Sequence, residues 1–304
     1  MFTSTSLGQG CQDLRTVNKR RRTSVMSILN VTPDSFSDGG DHATTDVDTL
    51  KETIRQHVAD GATIIDVGGQ SSRPNASDVS VEEEIRRVLP AIEAIKSLPE
   101  ASGVAISVDT YRAAVAKAAV QAGAHIVNDI SGGLLDPEML PAVARLGCTY
   151  IMMHMRGTPA TMMSEEHCHY PDGVLATVAR ELGDRVSAAQ AAGIRRWRII
   201  LDPGIGFSKT TEQNLELLRN GAFSPRLARL PWLAGSSRKS FIGKITGVQE
   251  PRERVWGTAA TVTAAVRAGA EMVRVHDVKE MVQVVRMAEA IYRVSREGRR
   301  SLWA

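Results

Sequence analysis

The amino-acid sequence predicts an α/β protein, a single-domain (β/α)8 barrel of the TIM type. From residue 25 onward, short runs rich in aliphatic and β-branched residues alternate with stretches whose apolar residues recur at three- and four-residue spacing. This alternation is typical of repeated βα units around a parallel sheet. About eight such units in roughly 280 residues match the size of a (β/α)8 barrel. A doubly wound open sheet is the competing fold.

Eight apolar runs are predicted to be the strands of this barrel. They cover residues 25–31, 62–67, 104–109, 125–130, 149–154, 197–202, 230–235 and 271–276. The stretches with helical spacing include residues 81–98, 112–123, 172–193 and 279–294.

The first 24 residues differ in composition from the rest of the chain. Ser and Thr are frequent, the basic run "NKRRR" lies near the end of the segment, and Asp13 is its one acidic residue. A transit peptide has this composition, and so does a linker left from a longer multidomain chain. The sequence therefore predicts a flexible basic segment over residues 1–24 and a barrel domain over residues 25–304, with both origins of the segment open.

Charge and cysteine content narrow the expected partners to small molecules. The formal net charge is only +3, which does not indicate a nucleic-acid-binding protein. No apolar run approaches the roughly 18 residues that a bilayer requires, so no membrane partner is expected. Cys11, Cys148 and Cys168 show no paired spacing. This pattern favours a reducing compartment, the cytoplasm, with the mitochondrion as the alternative.

Polar residues follow the predicted strands at the points where the strands end. In a (β/α)8 barrel the active site lies at these carboxyl ends, so the residues are candidates for function. They are Asn30, Asp109, Asn128, Asp129, His154, Asp202, Arg274 and His276, together with the segments "GGQSSRP" after Asp66 and "SSRKS" after Gly235.

The strand-end residues include two groups of opposite chemistry. Asp109, Asn128 and Asp202 match the N–H edge of a heterocycle, because a carboxylate accepts two parallel hydrogen bonds. A cationic group suits an anion such as phosphate; its members are Arg73, Lys239, Arg274 and His276. One substrate that carries both a heterocycle and a phosphate would use both groups.

The first predicted strand is followed by a long polar segment, "NVTPDSFSDGG". Connections of this kind usually take about 2–6 residues, and longer ones are commonly functional or disordered. Ordering each residue costs about 1–2 kcal/mol of backbone entropy. We therefore expect this loop to be loose in the free protein and to close over a bound anion.

Eight motifs in their observed order resemble the dihydropteroate synthases: "SILNVTPDSFSDGG", "DVGGQSSRP", "SVDT", "VNDISGG", "MHMRGTP", "LDPGIGF", "GSSRKSFIG" and "RVHDV". The resemblance covers residues 25–296. It implies the condensation of 6-hydroxymethyl-7,8-dihydropterin pyrophosphate with 4-aminobenzoate in folate synthesis, with release of pyrophosphate and with Mg²⁺ as cofactor. It also implies a homodimer. The wording of two motifs is similar to fungal members, which implies fusion to other folate-pathway domains.

The resemblance assigns roles to individual residues. Pterin binding is implied for Asp109, Asn128, Met153, Asp202, Phe207 and Lys239. Pyrophosphate binding is implied for Asn30, Ser72, Arg73, Arg274 and His276, with Asn30 also close to Mg²⁺. The aminobenzoate side is implied to comprise Phe36, Ser72, Arg73, Pro74 and Ser240. The implied catalytic residues are Asp109, Lys239, Arg73, Arg274 and His276.

Two residues depart from the family pattern, and two other functions remain as alternatives. Gln70 stands where many members have Glu, and Ser72 stands where many have Thr. The hydroxyl group is kept, so activity is expected, while sulfonamide sensitivity is undetermined. A pterin-dependent methyltransferase resembles this barrel at the pterin-binding Asp and Asn positions but would not need Lys239 and Arg274. The other alternative is a pterin-binding protein without activity, against which the intact first and second loops argue.

Overall fold

The protein is described by a computed structural model that covers residues 22–31, 47–70, 79–221, 227 and 229–293. Within these ranges one parallel sheet comprises β1 (Ser24–Asn30), β2 (Ile64–Gly68), β3 (Ala105–Asp109), β4 (Ile126–Asp129), β5 (Thr149–Met153), β6 (Ile199–Asp202), β7 (Leu233–Ala234) and β8 (Met272–Val275). Its strand order is β6-β5-β4-β3-β2-β1-β8-β7. A parallel bridge between Leu201 and Trp232 joins the two outer strands and closes the sheet.

Helices connect consecutive strands. They are α1 (Val47–Ala59), α2 (Val81–Ser97), α3 (Ala113–Ala122), α4 (Met139–Leu146), α5 (Val174–Ala191), α6 (Thr211–Asn220), α7 (Ser240–Thr246), α8 (Val255–Arg267) and α9 (Val278–Tyr292). Short 3-10 helices cover Pro99–Ala101, Arg196–Arg198 and Pro251–Glu253. The predicted (β/α)8 barrel is confirmed. The doubly wound sheet is wrong because strands that follow each other in sequence lie side by side and the pairing of β1 with β8 closes the ring.

The seventh strand is shorter than the predicted run 230–235 because two residues before it cannot join the ladder fully. Pro231 has no backbone N–H group. The N–H group of Trp232 donates to the Glu271 side chain at 3.1 Å instead of to a strand neighbour. Only Leu233 and Ala234 pair regularly with β8.

The inside of the barrel has an apolar floor, and the layer directly above it contains most of the polar side chains. The floor residues are Met26, Ile64, Ile126, Ile151, Ile200, Leu233 and Met272, with Ala105 packed against them. Side chains alternate between the two faces of a strand, so the residue two positions further along also points inward. These next residues are Ile28, Asp66, Ser107, Asn128, Met153, Asp202, Gly235 and Arg274. Polar side chains from five strands therefore point inward near the carboxyl end of the barrel.

Among the residues that the structure covers, no helix combines the length and apolar character that crossing a membrane requires. Residues 1–21 lie outside the described ranges. The nature of the basic N-terminal segment and its boundary with the barrel stay predictions.

Candidate active site

A pocket with an empty volume of about 450 Å³, partly open to solvent, lies at the carboxyl ends of the strands. Its walls combine apolar, acidic and basic side chains, as ligand sites commonly do. The lining residues are Ile28, Asp109, Asn128, Ile130, Met153, Asp202, Phe207, Gly235, Ser237, Lys239, Arg274 and His276. All the residues for which the sequence implied pterin binding thus meet in one pocket, together with Arg274 and His276.

A cluster of carboxylates and one arginine forms one side of the pocket. The Arg274 Nε atom lies 2.6 Å from Asp66 Oδ2, and Arg274 Nη2 lies 2.6 Å from Asp109 Oδ2. Asp66 is fully buried and also accepts a hydrogen bond from Asn128 Nδ2 at 2.9 Å. Arg274, which the sequence assigned to pyrophosphate, is therefore bound to two carboxylates in this structure.

Burial and neighbouring charges shift the pKa values of Asp109 and Arg274 differently. Burial raises the pKa of Asp109 to about 7, although the nearby Arg274 opposes the shift. Burial alone would lower the pKa of Arg274, but Asp66 and Asp109 outweigh it and raise the pKa above its ordinary value. Arg274 therefore stays charged, while Asp109 changes its protonation near neutral pH.

The opposite side of the pocket is formed by Asp202 and the loop that follows β6. Asp202 Oδ1 accepts a hydrogen bond from the Gly204 N–H group at 2.7 Å. Burial raises the pKa of Asp202, and Lys239 is the largest influence that opposes this shift. The Lys239 ammonium lies 4.3 Å from the centre of the Phe207 ring, a cation–π contact, and donates to the Ile205 carbonyl oxygen. Burial lowers the pKa of Lys239 to about 8, with Asp202 opposing the shift.

The segment "SSRKS" after β7 has a strained backbone that is held by contacts from two neighbouring elements. Arg238 adopts a left-handed conformation with a φ of 60°. The Arg238 guanidinium binds Asp277, with Nε 3.1 Å from Oδ2. The backbone N–H group of Arg238 donates to Thr258 Oγ1 at 3.1 Å. The flanking Ser237 lies 3.0 Å from His276 Nδ1 and lines the pocket beside it.

Asn30 and Ser240 lie near the pocket without lining it. Asn30 ends β1 and is paired with Gly68, which is in turn paired with Asp109. A Cβ atom added to Gly68 would lie 3.4 Å from Asn30 Oδ1 and 3.9 Å from Asp109 Oδ2, so the glycine separates the two side chains. Ser240 is the first residue of α7, directly after Lys239.

Four predicted site residues fall outside the described ranges. They are Phe36, Ser72, Arg73 and Pro74. Their assignment to the anion and aminobenzoate sides stays a prediction.

Four residues of the site and its support were not predicted from the sequence. Asp66, Ile28, Ile130 and Gly235 line the pocket or bind its walls. The signal was available, because each lies two or four positions beyond a floor residue on its strand or on the loop that continues it. Counting inward-facing positions from the apolar floor would have found them.

Comparison with known proteins identifies the family. A family model described as "Pterin binding enzyme" matches residues 26–276. The folic acid synthesis protein fol1 of Schizosaccharomyces pombe is 49% identical over 271 residues, which are 88% of this chain and 36% of that protein. The dihydropteroate synthase of Synechocystis is 47% identical over 275 residues, which are 90% of this chain and 91% of that protein. The chain thus spans about a third of the fungal relative and nearly all of the cyanobacterial one.

Solved structures agree with these relatives. The dihydropteroate synthase of Xanthomonas albilineans with 4-aminobenzoic acid is 42% identical, covers 90% of this chain and 94% of its own, and has a TM-score of 0.79. A Yersinia pestis dihydropteroate synthase with a sulfonamide drug is 41% identical, covers 90% and 95% of the two chains, and has a TM-score of 0.79. The resemblance inferred from the motifs is confirmed, and the chain belongs to the dihydropteroate synthases of the pterin binding enzyme family.

Proposed function

We propose that this chain joins 6-hydroxymethyl-7,8-dihydropterin pyrophosphate to 4-aminobenzoate, forming 7,8-dihydropteroate and releasing pyrophosphate. The observation that carries the proposal is one pocket whose lining combines carboxylate and amide groups with cationic ones. Relatives support it, since one Xanthomonas albilineans enzyme was solved with 4-aminobenzoic acid and another structure from that species with 7,8-dihydropteroate.

The carboxylate and amide groups of the pocket suit a pterin ring. A pterin presents an amino-pyrimidine edge with parallel N–H donors, and an ionised Asp202 can accept two of them. Asn128 donates its amide N–H to Asp66, so its oxygen is left to accept from the ligand. Met153 and Phe207 line the same space and supply apolar contact for the flat ring.

The cationic groups of the pocket suit the leaving group, pyrophosphate. In the proposed reaction the bond between the exocyclic carbon and the pyrophosphate oxygen breaks, and the electron pair leaves with pyrophosphate. The electron-rich ring stabilises the carbocation, the aromatic amine attacks it, and the new C–N bond forms with loss of a proton. Arg274 and His276 would stabilise the departing negative charge, and such preorganised charge is commonly the largest catalytic effect. No serine or cysteine nucleophile is needed.

Arg274 would change partners during this cycle. Its guanidinium binds Asp66 and Asp109. Pterin N–H groups that bind Asp109 compete with the guanidinium for that carboxylate. The freed end of Arg274 is then available to the pyrophosphate.

The residues present fit a magnesium ion that is held mainly by substrate. Mg²⁺ usually keeps several waters and takes one or two protein oxygens together with phosphate oxygens. Across the described ranges, no group of at least three His, Cys, Asp or Glu residues could hold a metal. The Asn30 amide oxygen, beside Gly68 at the end of β1, is the ligand that we propose. The ion would neutralise negative charge on the pyrophosphate.

Several features of the assembly stay predictions. The homodimer and the cytoplasmic location rest on the sequence. Plant relatives are named as bifunctional folate synthesis proteins, and the fungal fol1 protein is about three times as long as the matched region. A link between this chain and other folate-pathway domains is therefore a proposal.

The direct test supplies the pterin pyrophosphate, Mg²⁺ and 4-aminobenzoate and measures pyrophosphate and dihydropteroate in the same sample. The two products should form in equal amounts, and omission of 4-aminobenzoate should abolish dihydropteroate. Absence of both products, with tight pterin binding retained, would indicate the non-catalytic alternative. Methyl transfer to or from a methylated pterin would indicate the methyltransferase.

A further inference from the structure

A buried lysine beneath the pocket connects the ends of two strands. Lys209 is only 2% exposed, and its Nζ atom lies 2.8 Å from the Phe207 carbonyl oxygen and 3.1 Å from that of Gly204. The third partner is His154 Nδ1, at 3.1 Å. A longer contact of 3.5 Å joins Nζ to the His154 carbonyl oxygen. Burial lowers the pKa of Lys209 well below its ordinary value, although Asp202 opposes the shift.

His154 is held in the state that accepts this hydrogen bond. It is fully buried, and burial together with Lys209 lowers its pKa to about 3. The ring is therefore neutral and carries one proton. Nε2 lies 2.8 Å from Glu181 Oε2, and an ionised carboxylate can only accept, so the proton lies on Nε2. Nδ1 is then the acceptor for the Lys209 amine. Glu181 is fixed in turn by Arg156 at 3.1 Å.

The segment that Lys209 holds is the loop 203–208, which forms the Asp202 side of the pocket. Gly204 donates to the Asp202 carboxylate, and the Phe207 ring lines the pocket. Lys239 binds the same loop from the pocket side through the Ile205 carbonyl oxygen. The loop is thus fixed between two lysines, of which only Lys239 lines the pocket among the described residues.

The backbone of this loop needs such support. Gly204, Gly206 and Ser208 have φ angles of 70°, 82° and 51°. For Ser208 this left-handed conformation is unfavourable by roughly 1–2 kcal/mol. Contacts with surrounding side chains therefore determine the shape of the loop.

We propose that Lys209 and His154 are positioning residues that set the orientation of the Phe207 ring and the Asp202 carboxylate for the pterin. The inference rests on the proposed function, because it assumes that a pterin occupies this pocket. A purely structural role is the alternative. It would lower stability and leave ligand preference unchanged.

Four variants separate the two roles. Lys209→Met removes the donor. His154→Asn keeps an acceptor near the Nδ1 position, whereas His154→Gln keeps a donor toward Glu181 but loses the acceptor for Lys209. Tyr170→Phe is the matched control. It removes a 2.9 Å hydrogen bond from the Tyr170 hydroxyl to the Ser208 carbonyl oxygen of the same loop, and Tyr170 and Ser208 do not line the pocket.

The measurements are calorimetric affinity for 6-hydroxymethylpterin, KM for 4-aminobenzoate and the melting temperature of each variant. Lys209→Met and His154→Gln should weaken pterin binding about tenfold, with KM for 4-aminobenzoate within twofold of the parent value. His154→Asn and Tyr170→Phe should bind pterin within threefold of the parent. If Lys209→Met does not fold, the two His154 variants still decide the matter.

The inference is overturned if all four variants bind pterin like the parent, or if the two His154 variants lose affinity equally. A parent protein that binds no pterin overturns the proposed function and the inference together. A parent that binds pterin, with variants that lose only melting temperature, overturns the inference alone.

Discussion

Asp66 shows how one buried carboxylate organises two functional side chains. Its Oδ2 atom accepts from Arg274 Nε at 2.6 Å and from Asn128 Nδ2 at 2.9 Å. An ionised carboxylate can only accept hydrogen bonds. Asn128 therefore turns its N–H group toward Asp66, and its amide oxygen points elsewhere. Asp66 thereby directs the Asn128 oxygen away from itself and holds Arg274 beside Asp109.

At the level of single residues, the account predicts a narrow pH optimum. Below the pKa of about 7 that burial gives Asp109, its carboxyl is protonated, and one of its oxygens becomes a donor that opposes the pterin N–H groups, so kcat/KM should fall as pH decreases. Above the pKa of about 8 that burial gives Lys239, the ammonium loses its proton, so kcat/KM should fall as pH increases. A pH profile of kcat/KM for the pterin substrate measures both limbs.

Lys239→Arg is the matched variant for the alkaline limb. A guanidinium keeps its proton throughout the accessible range. The variant should lower kcat/KM, because its geometry differs, and should remove the fall above pH 8. An alkaline limb that is unchanged in Lys239→Arg would show that another group is responsible.

At the level of elements, the loop after β6 depends on one glycine. Gly204 has a φ of 70°, and a Cβ atom there would overlap the His154 carbonyl oxygen. Gly147 has a similar φ of 63°, but its Cβ atom would have no neighbour within 4 Å. Both Gly→Ala changes therefore carry the left-handed cost of roughly 1–2 kcal/mol, and only the first adds a collision.

Urea denaturation of the two variants tests this difference. Gly147→Ala should lower the free energy of unfolding by about 1–2 kcal/mol and keep pterin affinity. Gly204→Ala should lower it by about 3 kcal/mol or more, because backbone must move, and should weaken pterin binding. Equal losses in the two variants would mean that the loop can shift without affecting the site.

The elements also show which features sequence patterns can predict. Strand and helix periodicity located every strand, and α2, found at Val81–Ser97, matched the predicted run 81–98 closely. The short β7 escaped because its limit depends on the Glu271 side chain, which is distant in sequence. The contacts of Arg274 with Asp66 and Asp109 escaped for the same reason, since three strands must come together before they exist.

At the scale of the whole molecule, the barrel brings polar residues from several strands above a common apolar floor. All six residues proposed to bind the pterin line one pocket within the described ranges. Most residues proposed for the aminobenzoate side follow β1 and β2 and lie outside these ranges, and the sequence predicts that they close over the pyrophosphate. Binding should therefore be ordered, with the pterin pyrophosphate first.

A thermal melt tests this order. A sulfonamide alone should change the melting temperature little, whereas the same drug with pterin, pyrophosphate and Mg²⁺ should raise it. At about a hundred times its dissociation constant a bound ligand adds roughly 2.7 kcal/mol. For a domain of this size that corresponds to several degrees. An equal shift with and without the anion would contradict ordered binding.

The most direct test of the account is a calorimetric titration of 6-hydroxymethylpterin into the parent protein and the Asp202→Asn variant. An amide cannot accept both hydrogen bonds from the amino-pyrimidine edge, and each hydrogen bond to a charged group contributes about 1.5–3 kcal/mol. The variant should bind about a hundredfold more weakly, while Asp184→Asn, on an exposed position of α5, should bind like the parent. An affinity of Asp202→Asn within threefold of the parent value would remove Asp202 from the pterin site and contradict the account.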